Sequence, residues 1–119
     1  MRALQRFFLE RAGLAVEFAD DGIAALERAR RDPPAVVVTE ILLPKLDGLT
    51  LCRRLREEQG TRGIPVIVFS ILAAAARAAE AGAHTFVRKP LVESTFVAAV
   101  LGAIATQSPA TTEQQWASR

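Results

Sequence analysis

The residues most able to do chemistry lie in segment 39–48, which reads Thr-Glu-Ile-Leu-Leu-Pro-Lys-Leu-Asp-Gly. Glu40 follows the β-branched run 36–38, so its carboxylate stands where a buried strand is predicted to end. A carboxylate at that place can pair with a cation, ligate a metal ion or act as a nucleophile. Asp47 precedes a predicted helix, where an aspartate caps free backbone N–H groups. The segment therefore offers one carboxylate for chemistry and one for structure.

Composition limits the kinds of site that this chain can build. At 119 residues and half hydrophobic by count, it has the length of one domain with a real core. Cys52 is the only cysteine and His84 the only histidine, which excludes an internal disulfide and a zinc site made of these ligands. The lone thiol and the lack of a signal-like N-terminus predict a cytoplasmic protein. Every apolar run is too short to span a membrane.

The charged residues give no sign of a nucleic-acid surface. Fifteen basic and 13 acidic residues leave a formal charge of +2, and the arginines are scattered along helical stretches. No helix-turn-helix or basic-aromatic module is visible, so we expect no nucleic-acid partner. We expect the arginines to lie on solvent-exposed faces of the helices.

Apolar periodicity alternates between helix and strand along the chain, and this pattern sets the fold class. Strands that alternate with helices and read as continuous apolar runs indicate an α/β fold with a parallel sheet covered on both faces. We predict one domain over residues 1–105 and a flexible polar tail over 106–119. The predicted strands are residues 14–19, 35–39, 64–70 and 85–88, and a short helix is predicted at 73–81.

Four landmarks occur in a fixed order. They are the segment 40–48, Ser70 at the end of a strand, Phe86 in the last strand, and Lys89 followed by Pro90. As an ordered set they resemble the receiver domains of two-component response regulators. The resemblance implies a flavodoxin-like fold with strand order 2-1-3-4-5. It also implies a phosphoryl site made of Glu40, Ser70, Phe86 and Lys89, and a cis bond before Pro90, although trans is the default.

Two departures from the receiver pattern change the expected chemistry. The family carries an acidic pair after its first strand, whereas this sequence opens on what reads as the following helix; Asp20 and Asp21 lie after the second strand and are not that pair. The family has Asp where this chain has Glu40. Without the first strand, residues 14–19 must pair directly with 35–39 or leave a gap, so we expect self-association or a loose fold. The true N-terminus could equally lie upstream of Met1.

The departures predict a weak metal site. In the family a divalent ion held by the acidic pair, the acceptor carboxylate and a backbone carbonyl assists phosphoryl transfer. Here Leu42 could supply the carbonyl and Glu40 one carboxylate, so we expect no Mg²⁺ unless the missing pair is supplied. We predict instead that Glu40 pairs with Lys89 as a partial phosphoryl mimic. The alternative is that Glu40 points into water.

These expectations together predict a pseudo-receiver, not an enzyme, that acts through protein contacts. Its partner would be a sensor histidine kinase or a downstream signalling protein, met through the short helix 73–81, the strand Thr85–Arg88 and the last helix. One alternative is a phospho-accepting response regulator whose N-terminal strand and acidic pair are missing from this chain, with transfer to Glu40 or Asp47. Others are a small α/β enzyme or nucleotide binder, which no Gly-rich loop supports, and a fragment without function. Phe86 is either a switching aromatic or a plain core residue.

Overall fold

The computed structural model describes residues 2–71, 73–105 and 116–118. Five helices and five strands alternate along this part of the chain. In order they are α1 (Arg2–Arg11), β1 (Ala15–Val16), α2 (Gly22–Arg31), β2 (Val36–Thr39), α3 (Gly48–Glu57), β3 (Val66–Ser70), α4 (Ala75–Glu80), β4 (Thr85–Arg88), α5 (Glu93–Ala105) and β5 (Trp116–Ser118). The prediction of α4 as a short helix is confirmed, whereas β1 is much shorter than the predicted strand 14–19.

The strands form one parallel sheet in the order β1-β5-β2-β3-β4. All four residues of β2 and all five of β3 are buried, as expected for strands covered on both faces. The predicted α/β, flavodoxin-like class is therefore correct.

The core has two halves, one on each face of the sheet. Successive residues of a strand point to opposite faces, so Val37 and Val68 pack in one half while Val38 and Phe69 pack in the other. Helices α2, α3 and α4 contribute to the first half, and α1 and α5 to the second. The molecule therefore has three layers, and the carboxyl ends of the parallel strands meet at one edge of the middle layer.

The arrangement of β1 and β2 differs from the prediction. The sequence predicted that these strands pair directly or leave a gap, but β5 lies between them and pairs in parallel with both. Strand β5 also falls within the range 106–119 that was predicted as a tail; the rest of that range lies outside the described residues. The physical reason is that two facing strand edges without partners would leave backbone N–H and C=O groups unbonded. A third strand satisfies both edges.

The path to β5 agrees with the handedness rule for parallel strands. The connections through α3 and α4 cross the sheet in one direction over one face. The connection through α5 returns in the opposite direction over the other face. Reversing both the direction and the face keeps the hand unchanged, so all of these crossovers can be right-handed.

Among the described residues, no helix combines the length and the apolar character that crossing a membrane requires.

Candidate functional site

An ion pair joins the ends of two strand segments at the carboxyl edge of the sheet. Glu40 directly follows β2 and Lys89 directly follows β4. The Lys89 ammonium donates a hydrogen bond to Glu40 Oε1 at 2.9 Å, and the two side chains are 18% and 24% exposed. The pair that the sequence predicted is therefore present, and it is largely shielded from water. Partial burial makes such a contact stronger than one on an open surface.

The loop that carries Glu40 is held in shape by its own backbone. The Gly48 N–H donates to the Ile41 carbonyl at 2.8 Å, and the Thr39 hydroxyl donates to the Glu40 carbonyl at 3.0 Å. A Cβ added at Gly48 would lie 1.8 Å from the Glu40 carbonyl oxygen. A side chain at residue 48 is therefore incompatible with this loop, and the glycine is what lets α3 start so close to Glu40.

Asp47 acts as the predicted helix cap. Its Oδ1 accepts a hydrogen bond from the Thr50 N–H at 2.9 Å, and its Oδ2 accepts one from the Thr50 hydroxyl at 2.8 Å. Burial raises the pKa of Asp47, but these hydrogen bonds and the nearby Arg53 outweigh it, so the pKa lies below its ordinary value of 3.8. Both carboxylate oxygens are thus committed to the start of α3.

A second aspartate ties the same loop to α2. Asp21 caps α2 by accepting from the Ala24 N–H at 2.8 Å, a bond that lowers the pKa of Asp21. Lys45, in the left-handed region with φ 67°, places its ammonium 3.5 Å from Asp21 Oδ2. The Gly22 N–H also donates to the Pro44 carbonyl at 3.3 Å. Segment 40–48 is therefore anchored by α2 on one side and α3 on the other.

The remaining predicted residues lie on β3 and β4. Ser70, buried, ends β3, and its carbonyl accepts a hydrogen bond from the Lys89 N–H at 2.9 Å. Phe86 is half-buried and packs against the core half that includes α2 and α3, which agrees with the core alternative. The bond between Lys89 and Pro90 is cis, as the resemblance implied. Register thus brings Ser70 and Lys89 together, while Phe86 lies further back along the sheet opposite Val68.

Sequence reasoning missed the contribution of Phe69. The Lys89 ammonium lies 5.3 Å from the centroid of the Phe69 ring, within the range of a cation–π contact, and Phe69 is fully buried. Because Phe69 belongs to a continuous apolar run, its sequence neighbours give no sign of this role. The Lys89 ammonium therefore contacts both the Phe69 ring and the Glu40 carboxylate.

The donor set is poor for the Mg²⁺ that the receiver resemblance implies. Glu40 already pairs with a lysine, and both oxygens of Asp47 cap α3. Within residues 2–71, 73–105 and 116–118, no group of three or more His, Cys, Asp or Glu side chains is placed to hold a metal ion. Leu42, whose backbone carbonyl the sequence offered as a ligand, lies in the same loop and is 68% exposed. The described residues therefore do not fit a Mg²⁺ site, since that ion needs several well-placed oxygen ligands.

Curated proteins match most of this chain but are much longer. The transcriptional regulatory protein CseB of Streptomyces coelicolor is 38% identical over 103 residues, which cover 84% of this chain and 43% of CseB. The response regulator MprA of Mycobacterium leprae is 31% identical over 100 residues, covering 82% of this chain and 43% of MprA. The chain thus spans less than half of the length of these relatives.

Solved receiver structures superpose closely on this fold. A response regulator from Chloroflexus aurantiacus has a TM-score of 0.83 at 29% identity, covering 87% of this chain and 88% of that chain. The receiver domain of a histidine kinase from Syntrophus aciditrophicus has a TM-score of 0.84 at 27% identity, covering 91% and 84%. The family model for the response regulator receiver domain matches residues 1–101. The chain therefore belongs to the response-regulator receiver family.

Proposed function

We propose that this receiver domain is a phosphorylation-deficient signalling module that works through protein contacts. The observation that carries the proposal is the Glu40–Lys89 ion pair at 2.9 Å. In this arrangement the Lys89 ammonium donates a hydrogen bond to a carboxylate of the chain itself. An incoming phosphoryl group would need the same ammonium as its partner. One carboxylate replaces a group of nearly two charges and three oxygens, so the mimicry of a phosphorylated state is partial.

Two further features of the site support the proposal. Receiver domains bind Mg²⁺ when phosphorylated, but the described carboxylates near Glu40 offer too few free ligands for it. Asp47, the other candidate acceptor, uses both oxygens to cap α3. Transfer to Asp47 would therefore have to break a helix cap, whereas transfer to Glu40 would have to break the ion pair with Lys89.

We place the partner-binding surface on α4, β4 and α5, by analogy with the family. This surface presents the exposed side chains of Arg77, Arg88 and Leu101, the last 42% exposed. The partner would be a histidine kinase or a downstream signalling protein, in keeping with relatives that are response regulators and kinase-attached receivers. Lys89 links the surface to the site, because it directly follows β4.

The deciding experiment is intact-mass spectrometry after incubation with a small acyl-phosphate donor, with and without Mg²⁺. We expect no phosphoryl adduct on the folded protein in either condition. The same treatment of the Glu40→Asp variant separates two causes of inactivity. If that variant gains an adduct, the glutamate alone blocks transfer; if it does not, the metal ligands are also insufficient. A Mg²⁺-dependent adduct on the unaltered chain would overturn the proposal in favour of a phospho-accepting regulator.

A further inference from the structure

Helix α5 has two faces, and both are largely apolar. Its inner face buries Phe96, Val100 and Ala103 in the core half that α1 also covers. Its outer face carries no charge, because residues 94–105 include no Asp, Glu, Lys or Arg. The exposed positions of that face are Ser94, Thr95, Ala98, Leu101, Gly102 and Ala105. A surface helix usually has charged and polar residues opposite its buried face, so the outer face of α5 has the composition of a second contact face.

The other described helices do not share this property. Each of them exposes charged side chains, among them Arg6 on α1, Glu27 on α2, Arg53 on α3 and Arg77 on α4. The one charged residue of α5 is its first, Glu93, whose carboxylate lies 3.3 Å from the Arg11 guanidinium of α1. Charged side chains therefore solvate the outer faces of α1 to α4, whereas the outer face of α5 lacks them.

The outer face of α5 also has the residue spacing of a helix–helix contact. Ser94, Ala98, Leu101 and Ala105, which we call the outer seam, follow one another at intervals of four, three and four residues. This is the spacing of the a and d positions of a coiled coil, which face a neighbouring helix. Leu101 is 42% exposed, and the other three members of the seam are small. The seam therefore presents one large side chain beside shallow hollows.

Gly102 flanks the outer seam, and no contact within the chain requires a glycine there. A Cβ added at Gly102 would meet nothing within 4 Å. Its φ is not positive either, unlike the φ of Gly13 and Gly82. Glycine weakens a helix relative to alanine, but it lets another backbone approach closely. The open space outside Gly102 is therefore suited to a second helix.

We propose that the outer seam of α5 is a contact between two copies of this chain, in which the two α5 helices pack antiparallel. An antiparallel pair places Leu101 of each copy against Ala98 of the other, and Ser94 of each against Ala105 of the other. Large side chains then meet small ones, as close packing requires. A parallel pair would instead set Leu101 against Leu101 and leave a gap between the two alanines at position 98.

A second copy is the occupant that fits because the seam contains both halves of this packing and no charge. Two identical charged faces would repel each other, whereas two neutral faces meet without an unpaired charge. A 13-residue helix is about 20 Å long, so one helix pair buries less than the roughly 800 Å² per partner of a standard interface. We therefore expect a dimer that dissociates on dilution.

The dimer would cover part of the surface on α4, β4 and α5 that we assign to a signalling partner. The second copy and that partner would then compete for α5. The inference does not depend on whether Glu40 accepts a phosphoryl group, because oligomeric state and phosphoryl adduct are separate measurements.

Disulfide trapping between two full-length variants tests the contact and its direction. One variant carries Ser94→Cys and the other Ala105→Cys; Cys52 is retained because it is buried. The variants are incubated separately and mixed, from micromolar to millimolar concentration, oxidised gently and analysed by intact mass. In the antiparallel pair the two positions 94 lie about 16 Å apart along the axis, too far for a disulfide. We expect a heterodimer from the mixture, with a yield that rises with concentration, and no homodimer from either variant alone.

Substitutions on the seam test the same contact without cross-linking. Leu101→Glu places a charge on the seam, and Gly102→Lys does so next to it with a better helix former. We expect each to raise the dissociation constant of the dimer at least tenfold in analytical ultracentrifugation, with an unchanged circular dichroism spectrum. Ile23→Glu is the matched control, because Ile23 is 44% exposed on α2, which covers the other face of the sheet. It should leave the dissociation constant unchanged.

Three results would overturn the proposal. A chain that stays monomeric at millimolar concentration would leave the seam without a second copy. Disulfide-linked homodimers of each variant, without heterodimer, would show a parallel pair. A dimer that forms equally well with Leu101→Glu and Gly102→Lys would use another surface.

Discussion

Glu40 Oε1 and Lys89 Nζ lie 2.9 Å apart although 49 positions separate the two residues in the sequence. The contact exists because β2 and β4 flank β3 in parallel, which places the residues after both strands at the same edge. Phe69 on β3 contacts the lysine from the sheet side. The position of the Lys89 ammonium therefore depends on the alignment of β2, β3 and β4.

The coupling between these two residues can be measured by a double-mutant cycle. We expect Glu40→Gln and Lys89→Met each to lower the free energy of unfolding by about 1–2 kcal/mol, since each leaves a shielded charge without this partner. The double variant should lose less than the sum of the two, with a coupling of about 1 kcal/mol. Urea denaturation at pH 7 measures all four proteins. Strictly additive losses would show that the contact contributes nothing to stability.

Substitution of glycine by alanine should have opposite effects on stability at Gly48 and Gly102. Gly48→Ala would place a Cβ 1.8 Å from the Glu40 carbonyl oxygen, so the loop must shift and we expect a loss of about 3 kcal/mol or more. Gly102→Ala meets nothing within 4 Å on the exposed side of α5 and should stabilise the protein by about 1 kcal/mol. Thermal and urea unfolding compare the two. Equal effects at both positions would contradict the close approach of α3 to Glu40.

Asp47 gives a pH-dependent prediction with a built-in control. Because its pKa is lowered by folding, its contribution is complete above the unfolded value of 3.8 and is lost as the pH falls through the lower folded value. We expect Asp47→Ala to cost about 1 kcal/mol at pH 7 through loss of the cap, and the difference from the unaltered protein to shrink in acid. Asp47→Asn keeps a capping oxygen but cannot titrate, so its cap should persist in acid. Unfolding curves from pH 7 down to pH 3 test this; a gap that stays constant would refute the assignment.

Cys52 should be unreactive toward thiol reagents in the folded protein. It is fully buried on α3, and burial raises the pKa of its thiol from 9.0 to about 11, against the opposing effect of Arg56 and Arg53. We expect a thiol reagent at pH 8 to label the native protein far more slowly than the urea-unfolded protein. Because the folded pKa is the higher one, stability from this group is complete below pH 9 and declines between pH 9 and about 11. Fast native labelling would place the thiol in solvent instead.

The sequence by itself determined the fold class and local features such as buried strands and helix caps. The short β-branched run Val36–Thr39 favours a strand buried on both faces, and Asp47 before Gly48 marks a helix start through its own side chain. These features depend on residues close together in the chain, so local pattern suffices. The Glu40–Lys89 pair was predicted because both residues match landmarks of the receiver site and because a charge near a strand end is rarely left unpaired.

Only the tertiary structure decided what lies between β1 and β2 and what holds Lys89 in place. The three residues Trp116–Ser118 have no strand-like pattern of their own, because the segment around them is polar; they become a strand only where two unpaired edges offer partners on both sides. Phe69 likewise has the sequence pattern of an ordinary core residue. Only the tertiary structure shows that the Lys89 ammonium lies 5.3 Å from the centroid of its ring. Both outcomes depend on contacts between distant parts of the chain, which local sequence cannot encode.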